Sequence, residues 1–169
     1  MDTFVEQIVR VKRTGKDYLI VAAIWIGAFI LSFALFFLMG FSAGLLSVPA
    51  IVGVAFVVWG AVKLSTLTYV EYEYIFTNRD FDVDKIIAKS SRHRVISFKV
   101  PSVQKYGKYN PEARISDSIK KVYYTCDKNS KEAMYIIAPV VKEGTIMLVF
   151  EPNERMAKAL EDNLPRIAF

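Results

Sequence analysis

The sequence predicts an α+β membrane protein: a two-helix transmembrane hairpin followed by a small antiparallel β-barrel or sandwich that a C-terminal helix closes. Three observations carry this. Tyr18–Met39 and Leu45–Val62 are uncharged apolar stretches separated only by Gly40–Gly44. After Thr68 the pattern changes from unbroken apolar to alternating. An amphipathic segment, Asn153–Asn163, then follows the last alternating run. Roughly 20 apolar residues at 1.5 Å rise cross a hydrocarbon core of ~30 Å, so each stretch is long enough to span.

Three regions result: an N-terminal segment over residues 1–17, a hairpin over 18–67 with spans at 18–39 and 45–66, and a domain over 68–169. In the first, Phe4, Val5, Ile8, Val9 and Val11 fall at helical spacing, and Thr3 with Glu6 reads as a capping box. With Arg10 and Lys12 aboard, this segment is expected to lie along the inner headgroups as an amphipathic helix; the alternative is a frayed terminus. Within the hairpin, Ala23 and Gly27 form a small-xxx-small pair, and Gly53 and Gly60 add smooth surface for close approach. Pro49 is expected to bend the second helix near its outer end.

Beyond the spans, Tyr69–Phe76 and Phe81–Ala88 read as strands joined by the turn Thr77–Asp80, and Lys89–Arg92 turns into a third strand, His93–Lys99. Pro101 stops that strand, Val103–Tyr106 suits one helical turn, and Gly107–Ser118 reads as a long polar loop. Strands follow at Ile119–Asp127, Glu132–Ala138 and Thr145–Glu151. In the final helix Met156, Ala157, Leu160 and Leu164 share a face, and Pro165 ends it.

Cations set the expected orientation. Arg10, Lys12, Arg13 and Lys16 precede the first span, Lys63 closes the second, and the tip has none. Such loops stay inside, so both termini are expected in the cytoplasm and the protein in the plasma membrane as a multi-pass chain. The first stretch exceeds the roughly 7–15 residues of a signal-peptide core and a second follows at once, so cleavage is not expected. From Tyr69 onward there are 17 Lys and Arg against 14 Asp and Glu. That excess is too small to argue for nucleic acid and compatible with an anionic membrane surface. Cys126 is the only cysteine, which excludes an intrachain disulfide; its apolar setting suits a packed residue more than a reactive thiol.

Tyr72–Ile86, then Arg94-Val-Ile-Ser-Phe98, resembles the opening of bacterial PH-like domains, which often follow membrane spans directly. The layout is also similar to an uncharacterised family of small two-span membrane proteins from Gram-positive anaerobes. The resemblance covers roughly Tyr69–Leu164 and implies a PH-like fold at a membrane; it supplies no activity.

The residue inventory offers no catalytic or metal site and no cofactor. His93 is the only histidine, so neither a His-based triad nor a His cluster for zinc is available. Asp80, Asp82 and Asp84 lack the glycine and closing glutamate of a calcium loop. No glycine-rich phosphate loop or nucleophile elbow is present. Uncharged spans argue for an anchor over a transport path. The basic series Lys85, Lys89, Arg92, Arg94, Lys99 is the best candidate surface, and Lys85-x6-Arg92-x-Arg94 fits the loose pattern by which many PH domains hold phosphoinositide headgroups. It lies at the second hairpin instead of the first, and bacterial membranes generally lack those lipids. An eight-residue strand runs about 26 Å, so a strand leaving the membrane and one returning bring Lys89–Arg94 back toward the headgroups. Lys89, Arg92 and Arg94 are the expected lipid-headgroup residues, with ordinary solvated surface as the alternative.

The leading functional expectation is a non-enzymatic adaptor or assembly module at the inner membrane surface. Its expected partners are membrane lipids and an unidentified protein, with self-assembly as a homo-oligomer also open. Anionic-lipid sensing, or service as an accessory subunit of a transporter or enzyme complex, are the alternatives.

Overall fold

The structure, a computed structural model, describes residues 4–41, 47–127, 130–141 and 143–166. It divides into two compact units, Arg13–Tyr69 and a second that joins Met1–Lys12 to Val70–Phe169. Of the expected hairpin tip Gly40–Gly44, the first two residues belong to the first helix and Ser42–Gly44 lie outside the described residues, as does Lys128 of the expected turn Lys128–Lys131.

The first unit is a pair of apolar helices, α1 (Gly15–Phe41) and α2 (Ser47–Thr66). Asp17 closes the start of α1, accepting hydrogen bonds from the Thr14 N–H at 2.7 Å and the Thr14 hydroxyl at 2.8 Å. Thr14 and Asp17 thus cap α1, while Thr3 of the capping box expected for the N-terminal segment lies outside the described residues. Half-buried residues of α1 recur as Val21, Ile24, Ala28, Ser32, Leu35 and Met39, a spacing of three and four that makes one helical stripe. On α2 the corresponding positions are small, with Ala50 and Ala61 buried. A Cβ on Gly53 would stand 3.1 Å from Leu35 Cδ1, so the bare backbone of this glycine lets the Leu35 side chain pack against α2. Gly27 meets open space, and Ala23 is exposed, so the expected small-residue contact on α1 is replaced by the stripe through Ala28. Pro49 lies in the first turn of α2, where its missing N–H costs no intrahelical bond, and it starts the helix instead of bending it. Arg13 donates to Thr68 Oγ1 at 2.9 Å and stacks its guanidinium 3.9 Å over the Tyr69 ring, which fastens the two open ends of the pair.

In the second unit, eight strands among the described residues form two four-stranded sheets. Sheet A holds β1 (Phe4–Arg10), β2 (Val70–Thr77), β3 (Asp80–Ile87) and β4 (Ser91–Lys99) in sequential antiparallel order. Sheet B is ordered β5 (Lys105–Lys108), β7 (Met134–Val140), β8 (Gly144–Phe150), β6 (Lys121–Tyr124). Alternation aims Tyr74, Phe76, Phe81, Val83 and Phe98 of sheet A at Ile136, Ile146, Leu148 and Phe150 of sheet B. Aromatic rings meet there edge to face, Tyr74 with Phe150 at 5.6 Å and Phe81 with Phe150 at 5.7 Å. Helix α3 (Glu154–Glu161) closes the core with Met156, Ala159 and Leu160, and Asn153 caps it by accepting from the Met156 N–H at 2.8 Å.

Two hairpin turns shape sheet A. Asn78 and Arg79 take positive φ of 48° and 78° in a two-residue loop whose twist matches the strands. At the other end Ala88 and Lys89 also adopt positive φ, 53° and 58°, a conformation that L-residues other than Asn and Asp rarely hold. Between β3 and β4 the register shifts at Val83/Asp84, so that Val95 is an extra residue in β4.

Three expectations change. Residues 4–10 are a strand and not a helix lying along headgroups: β-branched Val5, Ile8 and Val9 favour the pleat, and β2 offers a ladder from Phe4↔Thr77 to Arg10↔Glu71 that a short isolated helix cannot match. Gln7 secures this strand, donating to the Glu151 carbonyl at 2.9 Å and accepting from the Asn153 N–H at 2.8 Å. The expected helical turn at Val103–Tyr106 does not form: a single 3-10 turn precedes it at Val100–Ser102, and Lys105 and Tyr106 belong to strand β5. Finally, β6 is shorter than expected and runs parallel to β8, which makes sheet B mixed.

Candidate functional site

The outer face of sheet A is where the sequence concentrates charge. Alternation along β2 and β3 puts Glu71, Glu73, Asp80, Asp82 and Asp84 on this face, opposite the core residues Tyr74, Phe81 and Val83. In a regular strand Arg92 and Arg94 would share the inward phase of Ile96 and Phe98. The extra residue Val95 reverses that phase, and Arg94 comes to stand across from Asp84. Arg94 then bonds Asp82 at 2.9 Å and also Asp84. Arg92 bonds Glu73 at 2.8 Å, and Arg10 bonds Glu71 at 2.8 Å. Glu73 is fully buried. Burial and a hydrogen bond with Glu6 hold its carboxyl above the usual range, against the opposing pull of Arg92. The Asp84 hydrogen bond, with Asp82 beside it, raises Arg94 further.

The three expected headgroup residues thus have different surroundings. Lys89 is exposed at the tip of the β3–β4 turn, whereas Arg92 and Arg94 are committed to carboxylates on their own sheet. That turn stands at the same end of sheet A as Arg10 and Val70, because Ile87 pairs with Val70 and Glu71 with Arg10. His93 is exposed and shares a hydrogen bond of 2.9 Å with Ser91. Cys126 is buried, and desolvation pushes its thiol up to about 12, so it is protonated and a poor nucleophile at neutral pH. The Tyr74 hydroxyl reaches Thr125 Oγ1 at 3.0 Å, tying sheet A to the end of β6 inside the core.

A second feature was not legible as a site. The stretch after β5 that reads as a polar loop folds back over the outer face of sheet B as a strap. It is pinned at one end by the Tyr109 N–H to the Ala133 carbonyl and at the other by the Lys120 N–H to the Thr145 carbonyl, both 2.9 Å. Asn110 forms its turn, accepting from the Glu112 N–H at 3.0 Å. Beneath lies a second small core of Cys126, Ala133, Met147 and Val149, flanked by Tyr109, Ile119 and Tyr135. The signal available in the sequence was Ile115, a branched apolar residue inside the stretch read as polar, with Ile119 read as the start of the next strand.

In comparison with known families, residues 1–169 match the family described as Bacterial PH-like domain (DUF6106). No curated protein and no solved structure matches the sequence.

Proposed function

From the premise that the chain belongs to the Bacterial PH-like domain family DUF6106, we propose that it is a membrane-anchored, non-enzymatic PH-like module serving as an adaptor or assembly platform at the inner membrane surface. One observation carries the reading: α1 and α2 are inserted in the chain between β1 and β2, two strands that pair directly. Arg10↔Glu71 pairing keeps both ends of the insertion together, so the helices leave and return on one side of any bilayer they enter. Lys12, Arg13, Lys16 and Lys63 flank them there, and such cations stay in the cytoplasm. Large apolar side chains facing outward, among them Phe29, Phe36 and Phe56, support hydrocarbon as the surroundings. Edge strand β1 also exposes Phe4 and Ile8, which suits addition of a partner's strand.

Lipid contact is the second reading, and Lys89 favours it. It projects from the turn beside the strand ends that run on into the helices. The engaged arginines reduce what that turn offers an anionic surface, which is why partner binding leads.

Topology tests the anchor. In a Cys126→Ser background, Phe41→Cys is expected to react with an impermeant thiol reagent on intact cells, and Glu112→Cys only after permeabilisation. External labelling of Glu112→Cys would overturn the cytoplasmic assignment.

A further inference from the structure

We propose that the cavity between the 109–119 strap and the outer face of sheet B binds a small organic anion with an apolar body, a phosphate monoester being the best match. The cavity measures about 300 Å³, at the small end of the range that ligand pockets occupy. Lys105, Lys108 and Arg114 line it, and no acidic residue does. Among the described residues none of these three cations makes an ion pair. The strap's own carboxylates, Glu112 and Asp117, stand outside the lining. This is the reverse of sheet A, where Arg92 and Arg94 are occupied by neighbouring acids.

The walls define the rest of the ligand. Ile137 and Met147, opposite each other on β7 and β8, supply an apolar floor. Tyr135 supplies a ring at one side, and Gly107 makes room for it: a Cβ at 107 would stand 3.2 Å from Tyr135 Cε1, so the ring lies over β5 where any other residue would push it away. A free inorganic anion would satisfy the cations and leave the floor wet; a neutral apolar compound would fill the floor and leave the cations bare. A dianion on an apolar body answers both, and a guanidinium fork with two ammonium groups suits phosphate oxygens. The strap is fastened at both ends, so the cavity is a small-ligand site and not an open groove.

The test uses the full chain in neutral detergent micelles, titrated calorimetrically with phenyl phosphate. Saturable binding is expected below about 1 mM, with weaker binding of inorganic phosphate and none of phenol. Lys108→Gln combined with Arg114→Gln is expected to weaken phenyl phosphate at least about tenfold, and added salt to weaken it as well. Ala113→Trp, at an exposed strap position that lines the cavity, is expected to block binding with no charge changed. Unchanged circular dichroism and melting confirm that each variant folds. A second arm adds vesicles of phosphatidic acid. Displacement of phenyl phosphate identifies a lipid headgroup as the source, and retention identifies a soluble ester; both support the site. No saturable binding by about 1 mM, equal binding of phenol, or affinity unchanged in both variants overturns the proposal.

Discussion

In the helix pair α2 packs through small residues, with Ala50 and Ala61 buried and Gly53 against Leu35, while Phe29 and Phe36 face outward, 72% and 65% exposed. In the PH-like unit the arrangement is inverted. Tyr74, Phe76, Phe81 and Phe150 are fully buried, and Arg92 and Arg94 lie on the surface among carboxylates. One driving force accounts for both, because apolar area moves to wherever water is absent. For the sheets that place is between them; for the helix pair, on the proposed anchor reading, it is the outside. The two units should therefore answer the same kind of substitution in different ways.

The largest effect is expected from Leu160→Asp, which puts a carboxylate against the core of the PH-like unit, where Leu160 is fully buried. An uncompensated buried charge costs about 3–5 kcal/mol. The unit should lose protease resistance while α1 and α2 remain membrane-associated. Loss of both together would mean that the two units do not separate as their burial patterns imply.

Phe36→Asp places the same charge on the outward face of α1. At the middle of a bilayer it costs about 2.5–3.5 kcal/mol, whereas in water it would be neutral or would aid solubility. Reduced retention in carbonate-washed membranes, with protease resistance of the PH-like unit unchanged, is the expected result. Undiminished retention would place that face against something other than lipid.

The smallest effect concerns Glu73, the acid that breaks the contrast by being buried on a charged face. Its folded-state pKa is raised above the ordinary 4.5, chiefly by burial and then by the hydrogen bond with Glu6. The stability it contributes is therefore fully present below the unfolded value and is lost as pH rises through the folded one. Glu73→Gln has no proton to lose. Its melting midpoint in detergent should gain on that of the wild type as pH rises above the ordinary glutamate value of 4.5, and a constant gap would show that Glu73 titrates normally.

Much of the architecture was legible because its signals are local. Uncharged runs marked α1 and α2, alternation marked β2, β3, β4, β7 and β8, and Asn153 with Met156 and Leu160 marked α3. The candidate surfaces were legible only in part. Lys89, Arg92 and Arg94 are cations near a turn in any reading, but their partners are acids on other strands. Lys105, Lys108 and Arg114 give no pattern in sequence, since they are gathered by a strand and a strap that passes over sheet B.

The sequence by itself determined which segments avoid water and which alternate, because those properties follow from side chains a few positions apart. The tertiary structure alone decided that residues 4–10 become an edge strand of sheet A, that β6 runs parallel to β8, and that Val95 turns Arg94 outward onto Asp82 and Asp84. Each of these depends on a partner distant in the chain. A ladder that needs filling, a neighbour already paired on its other side, or a one-residue shift of register gives no local trace before the strands meet.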